Sequence, residues 1–256
     1  YDSVISNYFN EFSKYQFTEK KIFHGKLLEN LRYGENPHQR GAIYSINNEK
    51  NIKQINGKKL SYNNYNDIFS ALQISKSFPN NKGTVIVKHG NPCGASIHKN
   101  NNESFSMAHK CDPTSSFGGI VSCNFKINRS LALKLNKLFF EVIIGNDFEK
   151  DALSILKTKK NVRIINSKNY EVFSKNNLIS NMHFALAQTP DDKKFTISDF
   201  KIVSKARPSR KTFENLIFAF NVCRFVKSNA IVLTNGKSTV GIGSGQPSRL
   251  DSCEIA

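Results

Sequence analysis

The sequence predicts an α/β protein, with helices layered on a sheet, and three observations carry that expectation. Apolar, β-branched runs of strand length recur along the chain: Val85-Ile86-Val87, Ile120-Val121-Ser122-Cys123, Val142-Ile143-Ile144 and Val162-Arg163-Ile164-Ile165. The segments between them place apolar residues three and four apart, as a helix with one face on a core requires. A chain of 256 residues is long enough to bury a full core. Alternation of the two element types is the pattern of a layered α/β domain.

Taken in order, residues 2–12 set Val4, Ile5, Tyr8, Phe9 and Phe12 on one helical face, with Asp2 as the expected cap. Asn64 or Asn66 is expected to cap a second helix through Asp67, Ile68, Ala71, Leu72 and Ile74, stopped by Pro79. A strand over 84–88 then delivers Lys88-His89 into Gly90-Asn91-Pro92-Cys93-Gly94, whose Gly and Pro residues predict a loop. There follow a helix near 103–110, the loop Ser115-Ser116-Phe117-Gly118-Gly119, a strand at 120–123 and a helix over 129–139. A strand at 141–144, a helix over 149–156 and a strand at 162–165 complete the alternation. The polar stretch from Asn166 ends in Thr189-Pro190-Asp191-Asp192, a turn-rich boundary. Phe213, Leu216, Ile217, Phe220 and Cys223 share one face of a helix expected over 210–227. Strands at 230–234 and 239–242 flank Asn235-Gly236, a hairpin signal.

Composition narrows the function classes. No apolar stretch reaches the roughly 20 residues of a membrane span, and no signal-peptide core is present, so a soluble intracellular protein is expected. Cys93, Cys111, Cys123, Cys223 and Cys253 form an odd, widely spaced set without C-x-x-C, so reduced thiols are expected rather than a disulfide framework or a zinc knuckle. The formal charge of +17 raises an alternative, a basic RNA-binding or non-catalytic fragment. Against it, the lysines are scattered among Asn and Ile, and no strand carries the Gly-aromatic signature of an RNA-recognition sheet. A cationic cleft could instead draw in anionic substrates.

Chemistry concentrates at Lys88-His89. An imidazole titrates near neutral pH and serves as a proton acceptor, while an adjacent ammonium holds a developing anion. Gly241, Gly243 and Gly245 are expected to form a backbone nest for an anion. His38 reads as a turn residue.

Six blocks stand in a fixed order: Leu31-Arg32-Tyr33-Gly34-Glu35-Asn36-Pro37-His38-Gln39, the Lys88-His89-Gly90-Asn91-Pro92-Cys93-Gly94 run, Asp112-Pro113-Thr114-Ser115-Ser116-Phe117-Gly118-Gly119, Glu141-Val142-Ile143-Ile144, Lys227-Ser228-Asn229-Ala230, and the glycine-rich stretch from Gly241 to Arg249. Together they resemble the transformylase portion of the AICAR transformylase/IMP cyclohydrolase family, from about Asp2 to Ala256. The resemblance implies a cytidine-deaminase-like α/β-α subdomain followed by the start of a second, similar one. Residues 1–20 would then be a connector from an absent cyclohydrolase domain, 21–192 the first transformylase subdomain, and 193–256 a truncated second one.

The implied reaction is formyl transfer from 10-formyltetrahydrofolate, as co-substrate, to the 5-amino group of AICAR in purine biosynthesis. It takes place in the cytoplasm and calls for no metal. His89 would be the general base and Lys88 the transition-state stabiliser. Arg32, Tyr33, Gly118, Glu141, Asn229 and Arg249 would bind the nucleotide, the last two from the other subunit of a homodimer with shared sites, and Leu250 would contact folate. Two departures are visible: Glu141 stands where some family members have Asp, and Asn181-Met182-His183-Phe184-Ala185 replaces a glycine-rich segment. The related zinc deaminases need H-x-E and P-C-x-x-C around the metal. Here Lys88-His89-Gly90 lacks the Glu, and Pro92-Cys93 is followed by Gly94-Ala95-Ser96.

Overall fold

The protein is described from a computed structural model covering residues 1–12, 14–15, 17–22, 24–46, 52–170, 177–181 and 183–256. Its contacts group into two compact units, Tyr1–Asn51 with Leu60–Asn63, and Ile52–Lys59 with Asn64–Ala256.

The first unit holds helix α1 (Asp2–Glu11) and an antiparallel pair, β1 (Gly25–Leu31) and β2 (Gly41–Ile46). Tyr1 occupies the cap of α1, and Asp2 lies in the first turn instead, where its carboxylate complements the helix dipole. Val4, Tyr8, Phe9 and Phe12 on the expected apolar face are all exposed. The β1–β2 pair was not legible in the sequence because a register shift between Leu27 and Glu29 breaks the period-two alternation.

The second unit is α/β. It runs β3 (Lys53–Asn56), α2 (Tyr62–Ser77, whose first two residues fall in the first unit), β4 (Gly83–Lys88), β5 (Asn91–Ile97), α3 (Asn101–Cys111), α4 (Pro113–Ser116) and β6 (Ile120–Ile127). It continues with α5 (Arg129–Asn136), β7 (Val142–Phe148), α6 (Lys150–Lys157) and β8 (Arg163–Asn166). After a separate hairpin, β9 (Asn177–Asn181) with β10 (Phe184–Gln188), come α7 (Arg210–Cys223), β11 (Ile231–Asn235), β12 (Ser238–Gly243) and α8 (Arg249–Ile255). Of the 181–185 segment singled out in the sequence, Met182 lies outside the described residues.

Eight strands form one sheet in the order β11-β12-β5-β4-β6-β7-β8-β3. The sheet is mixed: β6, β7 and β8 are parallel and the remaining neighbours antiparallel. Side chains alternate between its faces. Ile86, Val121, Phe125, Ile143 and Ile164 join Phe105 of α3, Leu131 and Leu135 of α5 and Leu156 of α6 in one buried cluster. On the other side Ser75 of α2 hydrogen-bonds Ser122, 2.8 Å away, and α2 buries Ile68, Ala71, Leu72 and Ile74. Helix α2 starts at Tyr62, so Asn64 and Asn66 lie inside it rather than capping it; Asn64 instead donates to a distant carboxylate.

Three further expectations are corrected. The predicted loop after Lys88 is only the two-residue turn His89-Gly90, with φ of 53° and 75°, and Asn91-Pro92-Cys93-Gly94 enters β5. A proline fits this strand because Pro92 sits beside the register shift between Ile86 and Val87, where a missing N–H is tolerated. The second hairpin turns at Gly236-Lys237, with Asn235 pairing Ser238, and α7 stops at Cys223. In α7 the buried residues are Phe218 and Val222, with Phe218 near Phe78 at 5.9 Å between ring centroids. Of the predicted face, Phe213, Leu216, Ile217 and Phe220, but not Cys223, line a groove with residues 200–204 and 206–208.

The attachment of β12 to β5 matters for the site. One ladder pair, Ser238 with Ser96, joins them, and Ile97 N donates to Lys237 O at 2.8 Å. Beside it Thr239 Oγ1 accepts from Ala95 N at 2.8 Å and donates to Ala95 O at 3.2 Å, so a hydroxyl stands where a backbone rung would be. Among the described residues no helix is long and apolar enough to cross a membrane.

Candidate active site

Strand β4 is buried from Gly83 to Val87 and surfaces at Lys88 and His89. Core burial fixes its register, because a one-residue slip would turn its apolar residues to the wrong faces. Lys88 and His89 are thereby placed at the rim of the sheet. Both line a cavity of about 600 Å³, with Asn91, Cys93, Asp112 and Gln246 also on its wall.

Backbone groups tie this rim together. Lys88 Nζ donates to Phe117 O at 2.8 Å, tying the end of β4 to the Ser115–Gly119 loop. An ammonium has three N–H donors, and this bond uses one. The next residue, Gly118, has φ of 74° and donates its N–H to Phe139 O at 2.9 Å. Glu141 adjoins the same loop through its N–H to Gly119 O at 3.0 Å. Its carboxylate accepts from Asn64 Nδ2 at 2.9 Å and lies 3.6 Å from an Arg163 nitrogen. Lys88, Gly118 and Glu141 are therefore neighbours along one rim, although they are 53 residues apart in sequence.

The His89-Gly90 turn is held by Asp67 of α2, whose two carboxylate oxygens accept from Gly90 N at 2.6 Å and His89 N at 3.2 Å. Burial raises the carboxyl of Asp67 above its ordinary value, outweighing the two amides, which lower it. Sequence reading missed Asp67: it looked like one polar residue of a helix, and its partners lie 22 and 23 residues away.

On the other side, Asn91 Oδ1 accepts from Lys227 N at 3.0 Å, and Lys227 O accepts from Gly245 N at 2.7 Å. Asn229 binds the following loop, donating from Nδ2 to Gln246 O at 3.0 Å and Pro247 O at 2.8 Å, and its own O accepts from Ser252. Ser248 caps α8, and Arg249 and Leu250, both exposed, are its first residues. Chain contacts thus connect His89, Asn91, Lys227 and Asn229, while Asn229, Arg249, Leu250, Gly118 and Glu141 lie outside the cavity lining itself. Arg32 and Tyr33 belong to the first unit, where the Arg32 guanidinium carbon lies 5.8 Å from the Tyr33 ring centre. His38 sits in a turn closed by Gln39 N to Asn36 O at 3.0 Å.

The expected glycine nest is not formed. Gly241 and Gly243 lie within β12, and a Cβ on either would overlap backbone, at Ala256 O just after α8 for the first and at Ser252 O within α8 for the second. They are glycines because a helix packs directly on the strand. Gly245 alone of the three has a positive φ, 69°.

The thiols on the cavity wall are poor nucleophiles. Burial pushes Cys93 up to about 12, with Asp112 adding to it, and burial also raises Cys111. Among the described residues no group of three or more His, Cys, Asp or Glu could hold a metal ion.

The comparisons with known proteins agree with one another. Over 262 residues the chain is 37% identical to the bifunctional purine biosynthesis protein PurH of Oceanobacillus iheyensis, over 264 residues 39% to that of Caldicellulosiruptor bescii, and over 257 residues 40% to that of Leptospira biflexa. Each alignment takes in 100% of this chain and 50–51% of the relative, so the chain spans about half the length of the curated relatives it matches. Residues 1–256 match the family described as AICARFT/IMPCHase bienzyme. The chain therefore belongs to the AICARFT/IMPCHase bienzyme family.

Proposed function

We propose that this chain is the part of a transformylase that binds AICAR and passes it a formyl group from 10-formyltetrahydrofolate, giving FAICAR and tetrahydrofolate on the way to IMP. The observation that carries the reading is the placement of Lys88 and His89 side by side on a cavity wall, in a chain of this family. AICAR's amine is conjugated to its imidazole carboxamide and is a weak nucleophile. As its nitrogen attacks the formyl carbon, His89 accepts the amine proton. Lys88 keeps two N–H donors beyond the one given to Phe117 O, and these meet the oxyanion that forms on the formyl oxygen. Collapse breaks the bond from the formyl carbon to N10 of the folate, and protonated His89 gives the proton up to N10.

In this reading Arg32 and Tyr33, Gly118 and Glu141 hold the nucleotide. Asn229 and Arg249 complete a nucleotide site across a homodimer, and Leu250 packs on folate. Glu141 keeps a nucleotide role even though Asn64 and Arg163 already contact its carboxylate, because nearly half of its side chain is exposed. The whole protein would act in the cytoplasm and carry IMP cyclohydrolase activity in a further domain. Residues 1–20, 21–192 and 193–256 would be its connector, first transformylase subdomain and the start of the second.

The test is His89→Ala in a full-length protein carrying this segment. The formyl-transfer rate should fall by about 10² to 10⁴, the usual contribution of a general base, while calorimetric AICAR binding changes little. Turnover near that of the unaltered protein would reject the role of His89.

A further inference from the structure

We infer that Asp67 is the positioning residue for His89, acting through the backbone of the two-residue turn. This deepens the proposed function and rests on its assignment of His89 as the base. His89 is exposed, so packing of its own side chain does not set the direction of its ring. That direction follows from the turn, in which both residues have positive φ, a conformation that His adopts far less readily than Gly. If the turn relaxed to another type, the Cα–Cβ bond of His89 would swing away from the cavity wall.

The restraint is chemically specific. Asp67 gives one oxygen to each of two successive N–H groups, at 2.6 Å to Gly90 and 3.2 Å to His89. It stands on α2 beside Ile68, which is fully buried, so the carboxylate is carried by a rigid element. An amide offers one acceptor oxygen and puts donors where the second acceptor stood, so Asn reproduces half of the clamp. The clamp also retains an acid where burial disfavours its charge, the kind of environment concentrated at functional sites. Nothing in the sequence near His89 supplies these two acceptors; they come from 22 residues upstream.

The experiment is a double-mutant cycle in the full-length protein, reading kcat and the AICAR KM of Asp67→Ala, His89→Ala and the double variant, with Asp67→Asn alongside. A reacting group displaced by about 1 Å loses up to about 10²-fold in rate. Asp67→Ala should therefore lower kcat by about that factor with KM for AICAR within about threefold, and Asp67→Asn should fall between it and the unaltered protein. Because Asp67 acts only through His89, the double variant should turn over no more slowly than His89→Ala. The inference is overturned if Asp67→Ala and Asp67→Asn keep full kcat while His89→Ala is impaired. It is equally overturned if Asp67→Ala lowers the residual rate of His89→Ala by the same factor as it lowers the unaltered rate, since the loss is then independent of His89. His89→Ala at full rate would instead remove the base assignment on which the inference stands. Should Asp67→Ala not fold, Asp67→Asn takes its place in the cycle, with the same outcomes deciding.

Discussion

Gly118 shows how a single residue ties the site to the fold. Its φ of 74° lies in the left-handed region, and a Cβ there would come 3.4 Å from Phe139 Cε1. Space is therefore adequate and the obstacle is conformational, which for an L-residue costs about 1–2 kcal/mol. Gly118→Ala should lower unfolding free energy by about that amount in a denaturant titration, and a loss below about 0.5 kcal/mol would show that the loop accepts a side chain. Lys88 and His89 were legible in the sequence because they end a β-branched run, a local signal. Asp67, Asn91 and the partners of Glu141 were not, because each acts across more than twenty residues of chain or from inside an unremarkable helix or strand.

Elements differed in the same way. The buried strands β4, β6, β7 and β8 and the helices α3, α5 and α6 followed from apolar runs and spacing, with shifts at their ends, whereas the short α4 falls partly where a loop was expected. Strand β5 did not, because Gly and Pro within it read as a loop; its membership is decided by β4 on one side and by Thr239 on the other. Thr239 offers the sharper test. Thr239→Val keeps the shape but leaves the N–H and C=O of buried Ala95 without this partner, at about 1–3 kcal/mol for each group. The variant should be less stable than the unaltered protein by about that order in chemical denaturation, whereas Thr239→Ser should restore most of the loss. An unchanged midpoint for Thr239→Val would mean that the hydroxyl contributes nothing to joining the strands.

For the molecule as a whole, the family and the α/β class were readable from ordered blocks and alternation, whereas the strand order was not. Nothing local announces that β11 and β12 continue past β5, since the contacts that place them span more than 140 residues. The single ladder pair between β12 and β5 makes that junction a seam. Native proteins open in cooperative pieces, and a seam with few backbone hydrogen bonds marks where one piece ends. Amides of β11 and β12 should accordingly exchange with deuterated solvent sooner than those of β4 and β6, which sit at the centre of the sheet. Lys88 and His89 lie on one side of the seam, and Asn229 and Arg249 flank the hairpin on the other. In the proposed homodimer the Asn229 and Arg249 bank meets the nucleotide in the partner subunit's site, so a bound nucleotide requires the hairpin closed and would shut the opening by mass action. AICAR should then slow deuterium uptake across 231–243 while leaving β4 as it was, and equal uptake with and without AICAR would show that binding stays on one bank.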